Sequence, residues 1–145
     1  MQLVMNFRLD LKSGVPVYRQ IIDQVHAARA SGAIRPGDQL PTVRQLAVDL
    51  SINPNTVMRA YRELELTGAL TTHQGTGTFI TNAKVEQNSA ERDRKLDQLV
   101  AEFVARAGRE GFTLGELRNR LKELVSQAEA PIKGVRQENG NAKRV

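Results

Sequence analysis

Three polar residues recur at helical spacing in the middle of the sequence and have the chemistry to contact nucleic acid. Asn55, Arg59 and Arg62 stand at positions i, i+4 and i+7, which places them on one face of a helix. An asparagine amide can form two hydrogen bonds with adenine, and an arginine guanidinium can form two with guanine. The opposite face carries the apolar residues expected to enter a core: Val57, Ala60, Tyr61 and Leu64. The pattern favours a helix that presents a polar face to DNA.

The same arginines also have an ordinary explanation as a solvated helix face. Arg59 with Glu63, and Arg62 with Glu65, have the spacing of surface ion pairs, which contribute a few tenths of a kcal/mol. Because both glutamates lie in the second half of the helix, we expect any DNA contact to involve its first half, residues 53–59.

Two Thr-rich, β-branched segments follow this helix at residues 70–73 and 77–81. They predict a β-hairpin whose tip contains Gln74, Gly75 and Thr76. The tip glycine either only permits a turn with positive φ, or also lets the backbone approach a phosphate or the minor groove.

Helix start and stop signals place these residues in a larger arrangement. The first predicted helix starts at Pro16 and stops before Gly32. The second starts at Thr42, which forms a capping box with Gln45. The third is capped by Asn53 and runs to about Thr67. Two short helices with a tight connection are typical of a helix-turn-helix, and the hairpin after them predicts a winged helix.

Composition limits the function classes. The chain has 145 residues, 21 Lys and Arg against 16 Asp and Glu, a net charge of +5 and no Cys. The basic excess is compatible with a nucleic-acid partner, and the missing Cys excludes disulfides and thiolate metal sites. Short apolar runs predict neither a signal peptide nor a membrane span, so we expect a cytoplasmic protein with no membrane partner. His26 lies beside the apolar stripe of the first helix and is expected to pack, and His73 has no second metal ligand nearby. No catalytic constellation, cofactor or metal site is expected.

The pattern changes beyond the hairpin. We predict a DNA-binding domain over residues 1–82, a polar linker over 83–94, two amphipathic helices over 95–130 and a disordered tail over 131–145. The turn between the two helices is placed at residues 108–111, before a second capping box formed by Thr113 and Glu116.

The two C-terminal helices carry more apolar surface than one helix pair can bury. We therefore expect them to form a two-fold dimer interface, although packing against the N-terminal domain is an alternative. The residues assigned to this interface are Leu96, Leu99, Val100, Phe103, Leu114, Leu117, Leu121 and Leu124.

Several motifs together resemble the GntR family of bacterial regulators. Residues 36–47, PGDQLPTVRQLA, are similar to the family signature PGxxLPSxRxLA. Segments 53–57, 60–65 and 75–80 continue the match in order, so that the resemblance covers about residues 9–81. It implies a mainly α fold with a small β-hairpin wing, which binds an operator with two-fold symmetry.

The resemblance also implies roles for single residues. In the family, the arginine of the signature, the start of the recognition helix and the wing tip contact DNA. Gln74 replaces a basic residue common before the wing glycine, and Thr42 replaces a common serine. The predicted DNA-contacting set is Thr42, Arg44, Asn53, Asn55, Thr56, Arg59, Arg62, Gln74, Gly75 and Thr76.

The short C-terminal region is similar to that of the YtrA subfamily, whose two-helix tail dimerises. This resemblance implies a dimeric repressor, often of genes for ABC-type transporters. The expected partners are double-stranded operator DNA and a second copy of the chain. The resemblance leaves open whether a small-molecule effector binds, and such a ligand would lie at an interface. The alternative is a winged-helix protein-interaction or assembly module whose basic charge is incidental.

Overall fold

The computed structural model describes residues 5–82 and 88–129, which divide into two compact units between Asn88 and Ser89. Five helices and three strands occur in these ranges: α1 (Val17–Ser31), β1 (Gln39–Leu40), α2 (Val43–Leu50), α3 (Pro54–Leu66), β2 (Leu70–His73), β3 (Gly77–Ile80), α4 (Ser89–Arg109) and α5 (Leu114–Glu129). The predicted class, mainly α with a small β-hairpin wing, is confirmed.

Helix α1 follows the predicted boundaries closely. Pro16 occupies the N-cap rather than the first helical position, so the helix begins one residue later than expected. Gly32 ends it in the left-handed conformation, with φ 76°. The prediction that His26 packs is wrong: its side chain is exposed, because the residue follows Val25 by one position and turns away from the core.

The segment before α1 is held by a side-chain amide. Gln20 accepts a hydrogen bond from the backbone N–H of Asp10 at 2.8 Å and donates to the carbonyls of Asp10 at 2.8 Å and Val15 at 2.9 Å. These bonds satisfy backbone groups that form no regular secondary structure. They fix the first turn of α1, where Tyr18 lies.

The caps of α2 and α3 form as predicted. Thr42 Oγ1 accepts from the N–H of Gln45, and Gln45 Oε1 accepts from the N–H of Thr42, both at 3.1 Å. Asn53 Oδ1 accepts from the N–H of Asn55 at 2.9 Å. Between the helices, Ser51 takes a left-handed conformation with φ 54°, which makes the short connection possible.

The wing is a three-stranded sheet rather than the predicted hairpin alone. Its order is β1-β3-β2, and both strand pairs are antiparallel. In the added pair, Gln39 lies opposite Phe79 and Leu40 opposite Thr78. A strand of two residues between a turn and a helix cap is too short to show alternation, so it could not be predicted from the residue pattern.

The core of this unit lies between the three helices and the sheet. Its fully or almost fully buried residues include Ile21, Val25, Leu46, Val57, Leu64 and Ile80. Tyr61 is also buried, and its hydroxyl donates to the carbonyl of Pro41 at 2.7 Å. Burial raises the pKa of the Tyr61 phenol well above its usual range, because the charged form would lose hydration.

The second unit is a pair of helices. Helix α4 begins at Ser89, so six residues of the predicted linker are helical. These first turns of α4 have no apolar periodicity. They are stabilised by an ion pair between Glu91 and Lys95, whose charged atoms lie 3.1 Å apart. Helix α4 continues to Arg109, which places Gly108 inside it and moves the turn to residues 110–113. The predicted tail, residues 131–145, lies outside the described residues.

The second predicted capping box is present at the start of α5. Thr113 Oγ1 accepts from the N–H of Glu116 at 3.2 Å, and Glu116 Oε2 accepts from the N–H of Thr113 at 2.7 Å. The bonds from Thr113 lower the pKa of the Glu116 carboxyl. The box gives α5 a defined start directly after the turn.

Candidate DNA-binding surface

The exposed face of α3 carries the polar residues expected from the helical spacing. Asn53, Asn55, Arg59 and Arg62 are exposed, and Thr56 is half-buried. The opposite face is closed, because Val57, Ala60, Tyr61 and Leu64 are buried in the core. The core contacts therefore fix the direction in which the polar face points.

Arg59 is held in place from two sides. Its guanidinium carbon lies 3.7 Å from the centroid of the Tyr18 ring on α1, and its Nε lies 3.9 Å from Glu63 Oε1. The predicted Arg59–Glu63 pair is therefore present, whereas the stacking on Tyr18 follows from no local sequence pattern. An exposed cation–π contact contributes about 0.5–1 kcal/mol, enough to favour one orientation of the side chain. Arg59 thus leans toward α1.

Arg62 behaves differently. The predicted pair with Glu65 is not among the ion pairs found within residues 5–82 and 88–129. Glu65 instead accepts a hydrogen bond from the Thr72 hydroxyl on β2. Arg62 remains exposed and extends toward solvent.

The start of α2 supplies two further predicted residues. Thr42 and Arg44 are both exposed. The Thr42 hydroxyl oxygen already accepts the capping bond from Gln45, which leaves its proton available to an acceptor such as phosphate. Arg44 forms no ion pair with any residue that the structure describes.

The wing tip is exposed and tethered. Gln74, Gly75 and Thr76 are all exposed, and Gly75 has a positive φ of 79°. Gln39 Nε2 donates to the Thr76 carbonyl at 3.1 Å, so β1 holds the tip by a side chain as well as by strand pairing. A Cβ at Gly77, where φ is 134°, would collide with the Gln39 amide. Sequence reasoning missed Gln39 because its partner lies far along the chain.

One residue of the α3 face was also missed. Met58 is 45% exposed and stands three positions after Asn55 and four before Arg62. The helical spacing of the polar residues also indicates Met58, but an apolar side chain cannot form the hydrogen bonds that identify the polar residues as candidates. The surface formed by the exposed face of α3, the start of α2 and the wing tip is called the recognition surface below.

A helix-turn-helix followed by a β wing, with a polar helix face turned outward, defines a winged helix-turn-helix DNA-binding protein. The chain belongs to the GntR family of bacterial regulatory proteins, whose family model matches residues 17–80. It is a DNA-binding transcriptional regulator and not an enzyme, in agreement with its relatives.

The similarity to individual relatives extends beyond the winged domain. The HTH-type transcriptional repressor YtrA of Bacillus subtilis is 39% identical over 131 residues, which cover 88% of this chain and 95% of the relative. A GntR family transcriptional regulator from Listeria monocytogenes has 33% identity and a TM-score of 0.55, with 78% of this chain and 98% of that chain covered. The crystal structure of a transcriptional antiterminator from Listeria monocytogenes EGD-e has 26% identity and a TM-score of 0.66, with 88% of this chain and 95% of that chain covered. The matches to YtrA and the antiterminator thus include the two-helix unit.

A helix that spans a membrane must be both long and apolar. None of the helices of the described residues combines these two properties.

Proposed function

We propose that the protein is a repressor that binds as a dimer to an operator with two-fold symmetry. The exposed polar face of α3, fixed by its buried face, carries this proposal. Helices of this size fit the major groove, and the residues nearest their N-terminus contact the base edges. The wing tip then lies over the neighbouring backbone or minor groove.

The residues of the recognition surface divide into two groups by chemistry. Arg44 and Asn55 have the hydrogen-bonding geometry to recognise guanine and adenine. Thr42, Asn53 and Thr56 lie at helix starts, where hydroxyl, amide and free N–H groups suit phosphate oxygens. Arg62, which remains unpaired within the described ranges, is assigned to the DNA backbone with the wing residues Gln74, Gly75 and Thr76.

The stacking on Tyr18 changes the role proposed for Arg59. A guanidinium that lies against an aromatic ring keeps its edge free for oxygen acceptors while its position is restricted. Because Arg59 leans toward α1, we assign it to a phosphate rather than to a base.

The two-helix unit supplies the dimer in this proposal. Most of its stripe residues, including Leu99, Phe103, Leu121 and Leu124, are exposed, and only Ala107 is buried among residues 89–128. Apolar surface on this scale is unusual for a monomer and typical of an interface. A two-fold contact would also set two recognition surfaces at one separation, as two half-sites require.

The regulated genes are proposed from the relatives. YtrA is named a transcriptional repressor, and the subfamily resemblance implies control of ABC-type transporter genes. An effector would bind at an interface, since each unit is too small to enclose a deep pocket. Deleting the gene should raise transcripts of transporter genes beside it, and an unchanged transcript level would contradict this assignment.

The DNA assignment is tested with Arg44→Ala and Asn55→Ala on two duplexes. One duplex is selected by the protein from a random-sequence library, and the other is a scrambled version of it. Each substitution should weaken binding to the selected duplex by ~1–3 kcal/mol and affect the scrambled duplex much less, because only base contacts discriminate. Fluorescence anisotropy at several salt concentrations measures both affinities.

Arg92→Ala provides the control, because it removes the same charge from an exposed site on α4. This variant should retain the preference for the selected duplex. Equal losses on both duplexes for Arg44→Ala or Asn55→Ala would exclude base recognition by that residue. Absence of salt-dependent binding by the unsubstituted protein would instead support the protein-interaction module.

A further inference from the structure

Met58 is an exposed apolar side chain beside the polar residues of the first half of α3. It stands between Asn55 and Arg62 on the exposed side of α3 and is 45% exposed. It belongs neither to the buried core nor to the partly buried residues packed against it. The fold therefore does not require an apolar residue at this position.

The neighbouring cation, Arg59, lies on the other side of Asn55 from Met58. Arg59 is drawn toward α1 by Tyr18 and along α3 by Glu63. Asn55, one turn earlier, is the nearest side chain on the face with base-recognising geometry. The long, unbranched thioether of methionine can reach a base edge and adapt its shape to it.

The major groove offers one apolar group to such a side chain. Thymine carries a 5-methyl group there, whereas the other base edges present hydrogen-bond donors and acceptors. From the placement of Met58 beside Asn55, we infer that Met58 recognises a thymine methyl group, and that each half-site contains this thymine within a step of the base pair contacted by Asn55. The inference rests on the proposed function, because it requires the α3 face to enter the major groove.

Substitution of deoxyuridine for thymidine isolates this contact. Deoxyuridine retains the pairing and the hydrogen-bonding groups of thymidine and lacks only the methyl group. The duplex is selected by the full-length protein from a random-sequence library. At each thymidine position in turn, deoxyuridine replaces the thymidine in one half-site or in both symmetry-related half-sites. One such replacement should weaken binding about fourfold for each half-site, the equivalent of one buried methyl group, and about fifteenfold for both.

Three variants assign the effect to Met58. Met58→Ala should bind the thymidine and deoxyuridine duplexes equally at that position, whereas Met58→Leu should retain a preference for thymidine. Leu66→Ala removes another exposed apolar side chain, two turns further along α3, and should keep the full preference. Because Met58 and Leu66 lie outside the core, thermal melting of all three variants should match that of the parent.

Two results would overturn the inference. If no deoxyuridine replacement weakens binding while Asn55→Ala still loses discrimination, α3 recognises DNA but Met58 does not recognise a methyl group. If Met58→Ala keeps the thymidine preference, another residue contacts the methyl. Failure of the library to yield any preferred duplex would instead remove the proposed function itself, and the inference with it.

Discussion

Introducing charge into the apolar stripes of α4 and α5 should separate the proposed dimer into monomers. Phe103 and Leu121 lie on these stripes, with 47% and 49% of their surface exposed. Both line one apolar groove between the helices, together with Val100, Leu114 and Leu117. The double variant Phe103→Asp with Leu121→Asp therefore places a carboxylate on each helix in the middle of the proposed contact.

The magnitude follows from the exposed fractions. Full burial of a leucine or phenylalanine side chain contributes about 1.5–3 kcal/mol, so the half that remains exposed here is worth ~1 kcal/mol for each residue. Two protomers lose four such side chains, which is ~4 kcal/mol, or roughly a thousandfold in the dissociation constant of the dimer. The desolvation of four carboxylates adds to this loss.

Sedimentation equilibrium measures the expected change directly. The double variant should sediment as a monomer with a folded winged domain, and its affinity for a two-fold operator should fall steeply because the half-sites bind separately. A matched control, Gln98→Asp with Asn119→Asp, adds the same charges on the exposed polar sides of the two helices and should remain dimeric. A double variant that still dimerises at the parent's concentration would place the interface elsewhere.

Two further perturbations concern the winged unit. Gly75→Val should reduce DNA affinity. It should cost only ~1–2 kcal/mol of stability, because φ is positive but no atom lies within 4 Å of the new Cβ. Normal operator binding by the folded variant would show that the wing tip is a turn without a DNA contact. Since burial raises the pKa of Tyr61, the free energy of unfolding should fall as pH rises above about 10, where the unfolded phenol ionises first. Urea denaturation should show this fall in the parent and in Tyr18→Phe but a weaker one in Tyr61→Phe, which should also lose about 1–2 kcal/mol at neutral pH because the Pro41 carbonyl loses its donor. If the free energy of unfolding fell equally steeply with pH in all three proteins, the assignment of this fall to Tyr61 would be wrong.

The sequence was sufficient wherever local chemistry determines structure. The caps formed by Thr42, Asn53 and Thr113 are encoded within three residues, so helix starts could be predicted from residue types alone. The assignment of a buried and an exposed face to α3 followed from the spacing of its apolar residues, because one side of such a helix must be buried. The order of elements then left few alternatives to a winged helix.

Two of the features that were missed depend on contacts distant in sequence. Strand β1 exists because Gln39 and Leu40 meet β3, which begins only after α3 and β2. The position of Arg59 depends on Tyr18, a residue of another helix. Helix α4 begins early because charged residues also form helices, although periodicity detects only the apolar ones. Residue roles in DNA binding stay predictions, since they require the partner's position.

The pairing of β1 with β3 determines when the winged unit can complete its folding during synthesis. Leu40 is made before α2 and α3, but its partner Thr78 is made after both. A nascent chain therefore carries an unfinished sheet, with an unpaired edge at β1, until the wing has left the ribosome. Strand β3, which pairs with both β1 and β2, is among the last parts of the winged unit to be made. Helices α4 and α5 are made after it. Each DNA-binding unit can thus be completed before α4 and α5, which carry the proposed dimer contact, have been made.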